Sequence, residues 1–199
     1  MKRNTVVRTM HDVGLAIWFG GSLMGAVGLN GAASAVDDRR ERTRVASAGW
    51  RRWTPVNAAG IAMYVVGSAG LLLANRGRVT YQKGVAANTA AKTLLTGVAL
   101  AATAYSRVLG AKIDQAGEVP AEGATKPDEA TPEDIAKAQR QLSLLQWAIP
   151  GVTGALVALT SLHGEQQRPG EVLRGVVKGA FSSGGGRRGA TGRFARKAA

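Results

Sequence analysis

Uncharged apolar stretches divide the chain into segments that alternate with clusters of charged residues. Residues 13–36, 54–75 and 142–163 contain no Asp, Glu, Lys or Arg. Each stretch reaches the length of about 20 residues that a helix needs to cross a hydrocarbon core of roughly 30 Å. An amphipathic helix of a soluble protein would instead place charges along its polar face. The pattern therefore predicts three membrane-spanning helices.

A fourth apolar stretch, residues 85–106, is rich in Ala and Thr and contains Lys92 in its first turns. The long Lys stem can extend to the near interface, and neighbouring helices can cover the weakly apolar faces. The sequence thus predicts an all-α, integral membrane four-helix bundle over residues 1–168. Residues 169–199 form a basic tail rich in Gly, Ser and Arg, which is predicted to be mostly disordered.

The segments between the spans differ in composition. The first, residues 37–53, combines arginines with two tryptophans, which predicts an interfacial connector at the lipid headgroups. Its headgroup candidates are Arg39, Arg40, Arg42, Arg44, Trp50, Arg51, Arg52 and Trp53. The longest, residues 107–141, holds three prolines and is predicted to be mobile in its middle. Near its end, Thr131-Pro132-Glu133-Asp134 predicts the start of the last helix.

Charge and composition narrow the classes of function. The formal net charge of +13 favours membrane lipids, including anionic headgroups, as partners rather than nucleic acid. With the tail counted, Lys and Arg predict that both termini are cytoplasmic and that the chain lies in the inner (plasma) membrane. The chain has no cysteine, no familiar catalytic motif and no acid deep in a span. These features predict a non-enzymatic protein without a cofactor and argue against a proton-coupled carrier.

Small residues form a stripe along the first span, with Gly14, Gly21, Gly25, Gly28 and Ala32 on one helical face. A face without side chains lets another helix approach closely. Packing within the bundle is the simpler interpretation, and a partner membrane subunit is the alternative.

The two histidines, His11 and His163, begin the first span and end the last. An even number of crossings brings them to the same membrane face, where they could ligate one haem or share a metal ion. The simpler interpretation makes them interfacial polar caps, so no metal site is predicted. A haem- or metal-binding redox protein remains the alternative.

His11 with Trp18-Phe19-Gly20-Gly21 resembles the H-x6-W-x-G-G opening of small bacterial membrane families that include copper-resistance D-type proteins. The chain lacks the other histidines of that family, so copper or haem transport is not implied. The four Ala/Gly-rich spans and the Arg/Gly tail are similar to membrane proteins of mycobacteria and related actinobacteria, among them accessory subunits of Mce lipid importers. The glycine stripe, the lack of a catalytic motif and the lack of a deep acid predict a non-enzymatic accessory or scaffold subunit of a larger inner-membrane complex, and the resemblance implies that this complex is a lipid importer. A small stand-alone transporter is a further alternative.

Overall fold

A computed structural model describes residues 4–81 and 83–166, and their side chains at 4–74 and 87–162. Its elements are α1 (Thr5–Met24), a π-helical turn (Gly25–Leu29), α2 (Asn30–Ser34), α3 (Glu41–Tyr81), α4 (Lys83–Gln115), β1 (Ala121–Gly123), β2 (Lys126–Pro127) and α5 (Glu133–Gln166). The chain forms one compact unit through Leu159 and a second from Thr160. The predicted tail, 169–199, lies outside the described residues.

Within the described residues, four helical segments are long and apolar enough to cross a membrane: Thr5–Ser34, Glu41–Ala74, Ala87–Gln115 and Glu133–Leu162. The predicted all-α, four-helix membrane fold is therefore confirmed. α3 begins at Glu41 and α4 ends at Gln115, so both continue well past the apolar stretches at the same end of the bundle. The last helix begins directly after Thr131-Pro132, as its capping sequence predicts.

α1 and α3 pack with their backbones close together because glycines face each other across the contact. A Cβ at Gly14 would lie 2.5 Å from the carbonyl oxygen of Gly60, and one at Gly67 would overlap the backbone of His11. Lipid offers little hydrophobic drive for helix association, so the close approach stabilises the pair through dispersion contacts.

Two apolar clusters hold the other helices to this pair. One buries residues of all four spans, namely Leu15, Trp18, Tyr64, Ala99 and Leu156. The second lies between the end of α4 and the start of α5 and contains Leu109, Ile113, Val119, Ile135 and Ala138. The bundle therefore has one core within the membrane-spanning region and another near the end where α5 begins.

A small antiparallel sheet, β1 paired with β2, covers this end of the bundle. The Arg42 guanidinium donates to the carbonyl oxygens of Val36 (2.7 Å) and Glu122 (2.9 Å), and the Gln139 amide donates to that of Gly123 (3.2 Å). The prediction of a mobile middle for this connector was wrong. Tertiary hydrogen bonds to backbone carbonyls fix a segment whose own composition favours disorder.

Candidate functional site

The small-residue stripe of α1 divides into two parts. Gly14, Gly21 and Gly25 are buried against α3, the first by its backbone and the other two by the rings of Trp53 and Trp50. Gly28 and Ala32 are exposed, and a Cβ at Gly28 would meet only Met24 of its own helical segment. The part of the stripe up to Gly25 therefore packs inside the bundle, and its last two residues, Gly28 and Ala32, lie on the surface.

The tryptophan rings predicted to reach lipid headgroups pack inward. The rings of Trp50 and Trp53 lie against glycines of the first span, and Trp50 Nε1 donates to Asn30 Oδ1 at 3.0 Å. Asn30 Nδ2 in turn donates to Gln146 Oε1 at 2.9 Å, and Thr125 Oγ1 donates to the same oxygen at 3.3 Å. This polar network joins α2, α3, α5 and the segment between β1 and β2.

The predicted headgroup arginines have different surroundings. Arg39 pairs with Asp128 at 2.5 Å, Arg44 pairs with Glu41, and Arg42 caps backbone carbonyls. The N–H of Ala130 and the Arg39 guanidinium lower the pKa of the Asp128 carboxyl. Headgroup binding stays a prediction for this set, in which the side chains of Arg40, Arg51 and Arg52 are also exposed.

A cavity of about 730 Å³ lies between α3 and α4, under the polar network. Its volume falls within the range of roughly 300–1,000 Å³ that is typical of small-molecule sites. The apolar wall of the cavity comprises aliphatic side chains from α3, α4 and α5, which include Ile61, Val65, Leu100, Leu142 and Ile149. Other lining residues are polar and include Ser22, Ser47, Arg51, Thr54, Asn57, Thr103, Ser106, Arg107, Asp114 and Gln146. The cavity is amphipathic.

Trp18 and the residues of the Asn30 network also line this cavity. Trp18 is 0% exposed, and its Nε1 donates to Thr103 Oγ1 at 3.1 Å. Below that contact, the Tyr64 hydroxyl bonds to Thr96 Oγ1 at 2.8 Å. These pairs join α1, α3 and α4.

On its flank the cavity reaches the surface between α3 and α4. The residues that line it there are both exposed and small: Ala58, Ala62, Val65, Ala104 and Ala111. In a membrane, this flank faces lipid rather than water, since both helices are candidate spans. The gap therefore offers a lateral route for a membrane-dissolved molecule.

Polar groups of the cavity have unused hydrogen-bonding capacity. Thr43 Oγ1 and Asn57 Oδ1 belong to lining residues and are buried without a hydrogen-bond partner among the described residues. Arg107 has no ion pair or side-chain hydrogen bond to any residue whose side chain is described, although it lines the cavity. Unpaired polar and charged groups inside a membrane protein are costly, and they commonly mark functional sites.

The sequence alone does not single out Arg107, because this residue directly follows the apolar stretch and falls within the predicted connector. The helix continues to Gln115, which carries Arg107 into the bundle about two turns before the helix end. The available signal was the spacing of Leu100, Thr103 and Arg107 on one face of α4, which becomes meaningful only once the helix is known to extend.

His11 is a buried residue of the α1–α3 contact. It is 2% exposed, its Nδ1 lies 2.8 Å from Asp12 Oδ1, and its ring centroid is 5.0 Å from that of Tyr64. The side chain of His163 lies outside the described residues, so the shared haem or metal site stays a prediction. Among the side chains that are described, no three His, Cys, Asp or Glu residues group as metal ligands.

Comparison with protein-family models, curated proteins and solved structures gave no match. The resemblances drawn from the first span and from the overall sequence style therefore stay predictions. The cavity and its lining residues are the features from which a function can be inferred.

Proposed function

We propose that the protein is a non-enzymatic subunit of a larger inner-membrane complex and that its own task is to hold an amphipathic, lipid-like molecule. A lipid transporter of the Mce type is the candidate complex. In this proposal both termini are cytoplasmic, so the sheet-covered end of the bundle faces away from the cytoplasm. A stand-alone transporter and a redox protein that uses His11 and His163 are the competing functions.

The amphipathic cavity is the observation that supports binding. Its apolar wall suits an acyl chain, its hydroxyl, amide and guanidinium groups suit a polar head, and its flank opens between two membrane-spanning helices. A water-soluble ligand would not reach the cavity through a flank that faces lipid, whereas a lipid could enter there without leaving the membrane. The unsatisfied Thr43 and Asn57 oxygens are consistent with an occupant that carries polar groups.

Small residues on the outer surface support the role as a subunit. Gly20, Gly31 and Gly151 are exposed with no neighbour within 4 Å of a Cβ placed there, and Gly28 and Ala32 are exposed as well. Such surfaces let the helix of a partner approach closely. We expect the endogenous, tagged protein to be recovered with other membrane proteins in mild detergent, and recovery only as a lone monomer would contradict the subunit role.

Filling the cavity from its open flank tests the binding function. Ala104 lines the cavity and Ala101 does not, yet both are exposed on α4 one turn apart. We expect Ala104→Phe to reduce the lipid retained by the purified protein, because the ring occupies the cavity, whereas Ala101→Phe leaves retention unchanged. Native mass spectrometry of the detergent-solubilised protein measures both. Equal retention by the two variants would contradict the proposal.

A further inference from the structure

Arg107 is a positive charge inside a candidate membrane span. It lies on α4 about two turns, or roughly 12 Å, from the helix end at Gln115. A guanidinium cannot lose its charge by deprotonation in a protein, so it must be solvated or paired where it lies. Its side chain is partly buried and lines the cavity, so a molecule bound there can supply that partner.

The arginines around the cavity differ in how their charge is neutralised. Arg51, which also lines the cavity, pairs with Asp114 at 2.5 Å. Arg39 and Arg140 likewise have carboxylate partners outside the cavity. Arg107 has no such partner among the side chains that the structure describes, so a bound anion would supply the missing charge. Guanidinium groups bind phosphate oxygens in a bidentate manner, which makes phosphate the best match.

The depth of Arg107 suits a lipid phosphate. The exposed side chain of Tyr105 marks a level on α4 close to that of Arg107, and aromatic side chains of this kind favour the membrane interface. Leu100 on the apolar wall lies roughly 10 Å deeper along the same helix. Arg107 is thus at headgroup depth, and Leu100 lies at the depth of the acyl chains.

We propose that the cavity selects an anionic phospholipid and that Arg107 binds its phosphate. The acyl chains lie along Ile61, Val65 and Leu100 and leave the bundle through the gap between α3 and α4. This inference rests on the proposed lipid-binding function and adds the chemistry of the headgroup. A neutral lipid of equal chain length binds more weakly, because it leaves the guanidinium without a counter-charge in a site of low dielectric constant.

The test compares dioleoyl phosphatidylglycerol with dioleoylglycerol, which has the same acyl chains and no phosphate. The full chain is solubilised in a neutral detergent, and retained lipid is measured by native mass spectrometry across a lipid titration. We expect the wild-type protein to prefer phosphatidylglycerol by roughly tenfold, because a charge-assisted phosphate contact is lost with the neutral lipid. Arg107→Gln should abolish this preference, and Arg107→Lys should retain part of it.

Arg140→Gln is the matched control, because Arg140 is exposed on α5 and does not line the cavity. It should leave the preference unchanged. The thermal transition and helicity of each variant establish that it is folded. If Arg107→Gln does not fold, two measurements still test the proposal. One is the preference of the wild type for phosphatidylglycerol, and the other is the weaker preference expected of Arg107→Lys.

Each outcome has a defined meaning. A folded Arg107→Gln variant that keeps the wild-type preference would overturn the inference, as would a wild-type protein that binds both lipids equally. Inorganic phosphate at millimolar concentration should not displace the lipid, and displacement would assign the site to a free anion instead. Unchanged retention of both lipids in Ala104→Phe would mean that the lipid-binding function itself has failed, whereas loss of only the Arg107 effects would overturn the headgroup assignment alone.

Discussion

Replacing Gly14 with alanine should separate α1 from α3. The added Cβ would lie 2.5 Å from the carbonyl oxygen of Gly60 and would also overlap the backbone of Tyr64. Because the atoms it meets belong to the backbone, no side-chain rotation can relieve the overlap. The helices must move apart by roughly 0.5–1 Å, and a gap of that size forfeits a quarter to a half of each dispersion contact at the crossing.

The expected destabilisation is about 1–2 kcal/mol. Overpacking in a close-packed site costs about 1–3 kcal/mol, and the better helix propensity of alanine returns up to about 1 kcal/mol. Gly20→Ala is the matched control, because Gly20 is on the same helix, is exposed and has nothing within 4 Å of a Cβ. That variant gains the propensity without the overlap, so we expect it to be neutral or more stable than the wild type.

Reversible unfolding in mixed micelles of neutral detergent and dodecyl sulfate measures the difference. Tryptophan fluorescence reports on this contact, since Trp18 belongs to α1 and the rings of Trp50 and Trp53 lie against glycines of the first span. The midpoint of Gly14→Ala should move to a lower dodecyl sulfate fraction, and that of Gly20→Ala should not. If both variants unfold together, the close contact between the two backbones does not contribute to the stability of the bundle.

Three further predictions concern the core and the covered end. The pKa of Asp128 lies below its ordinary value of 3.8, because its carboxylate accepts hydrogen bonds from the N–H of Ala130 and from the Arg39 guanidinium. These contacts stabilise the fold above that value, and the stabilisation is lost as the pH falls through the lower, folded-state pKa. The protection factors of the β1–β2 amides, which are corrected for the intrinsic pH dependence of exchange, should therefore fall in acid, and those of Asp128→Asn should not. Trp18→Ala should lower the free energy of unfolding by about 3–5 kcal/mol, because this ring is 0% exposed, and a thermal midpoint equal to that of the wild type would refute its role in the core. Trp50→Phe removes the donor to Asn30 and should cost about 1–3 kcal/mol in detergent unfolding, whereas an unchanged midpoint would show that the network carries no stability.

The spans could be predicted from the sequence because a lipid-facing backbone has to satisfy its own hydrogen bonds over a fixed length. That constraint determines where charges are absent, and it applies even to the stretch that contains Lys92. It does not determine where a helix ends once the chain leaves the lipid. α3 continues because its extension packs on α2 and on the turn between β1 and β2. α4 continues because its extension packs on the start of α5. The local sequence does not indicate either of these tertiary contacts.

The stripe of α1 shows why side-chain positions were harder to predict. An α-helical period aligns Gly28 and Ala32 with Gly25, but the π-helical turn at Gly25–Leu29 adds a residue and rotates the next part of the helix by roughly 100°. As a result Asn30 and Ala33 become buried in place of the predicted pair. Nothing in the local sequence reveals this change of register, so the particular partners of Asn30, which are Trp50 and Gln146, could not be predicted.

The close pairing of α1 with α3 has a consequence for biogenesis. Both helices are made before α4 and α5, and the glycine contacts and the Trp50–Asn30 hydrogen bond need no residue of those later helices. A two-helix hairpin can therefore assemble while the remainder of the chain is still being translated. In this hairpin Asn30 Oδ1 already accepts from Trp50, but Asn30 Nδ2 still lacks its partner. When the last helix is made, Gln146 Oε1 accepts from Asn30 Nδ2, and this hydrogen bond aligns the helix on the hairpin.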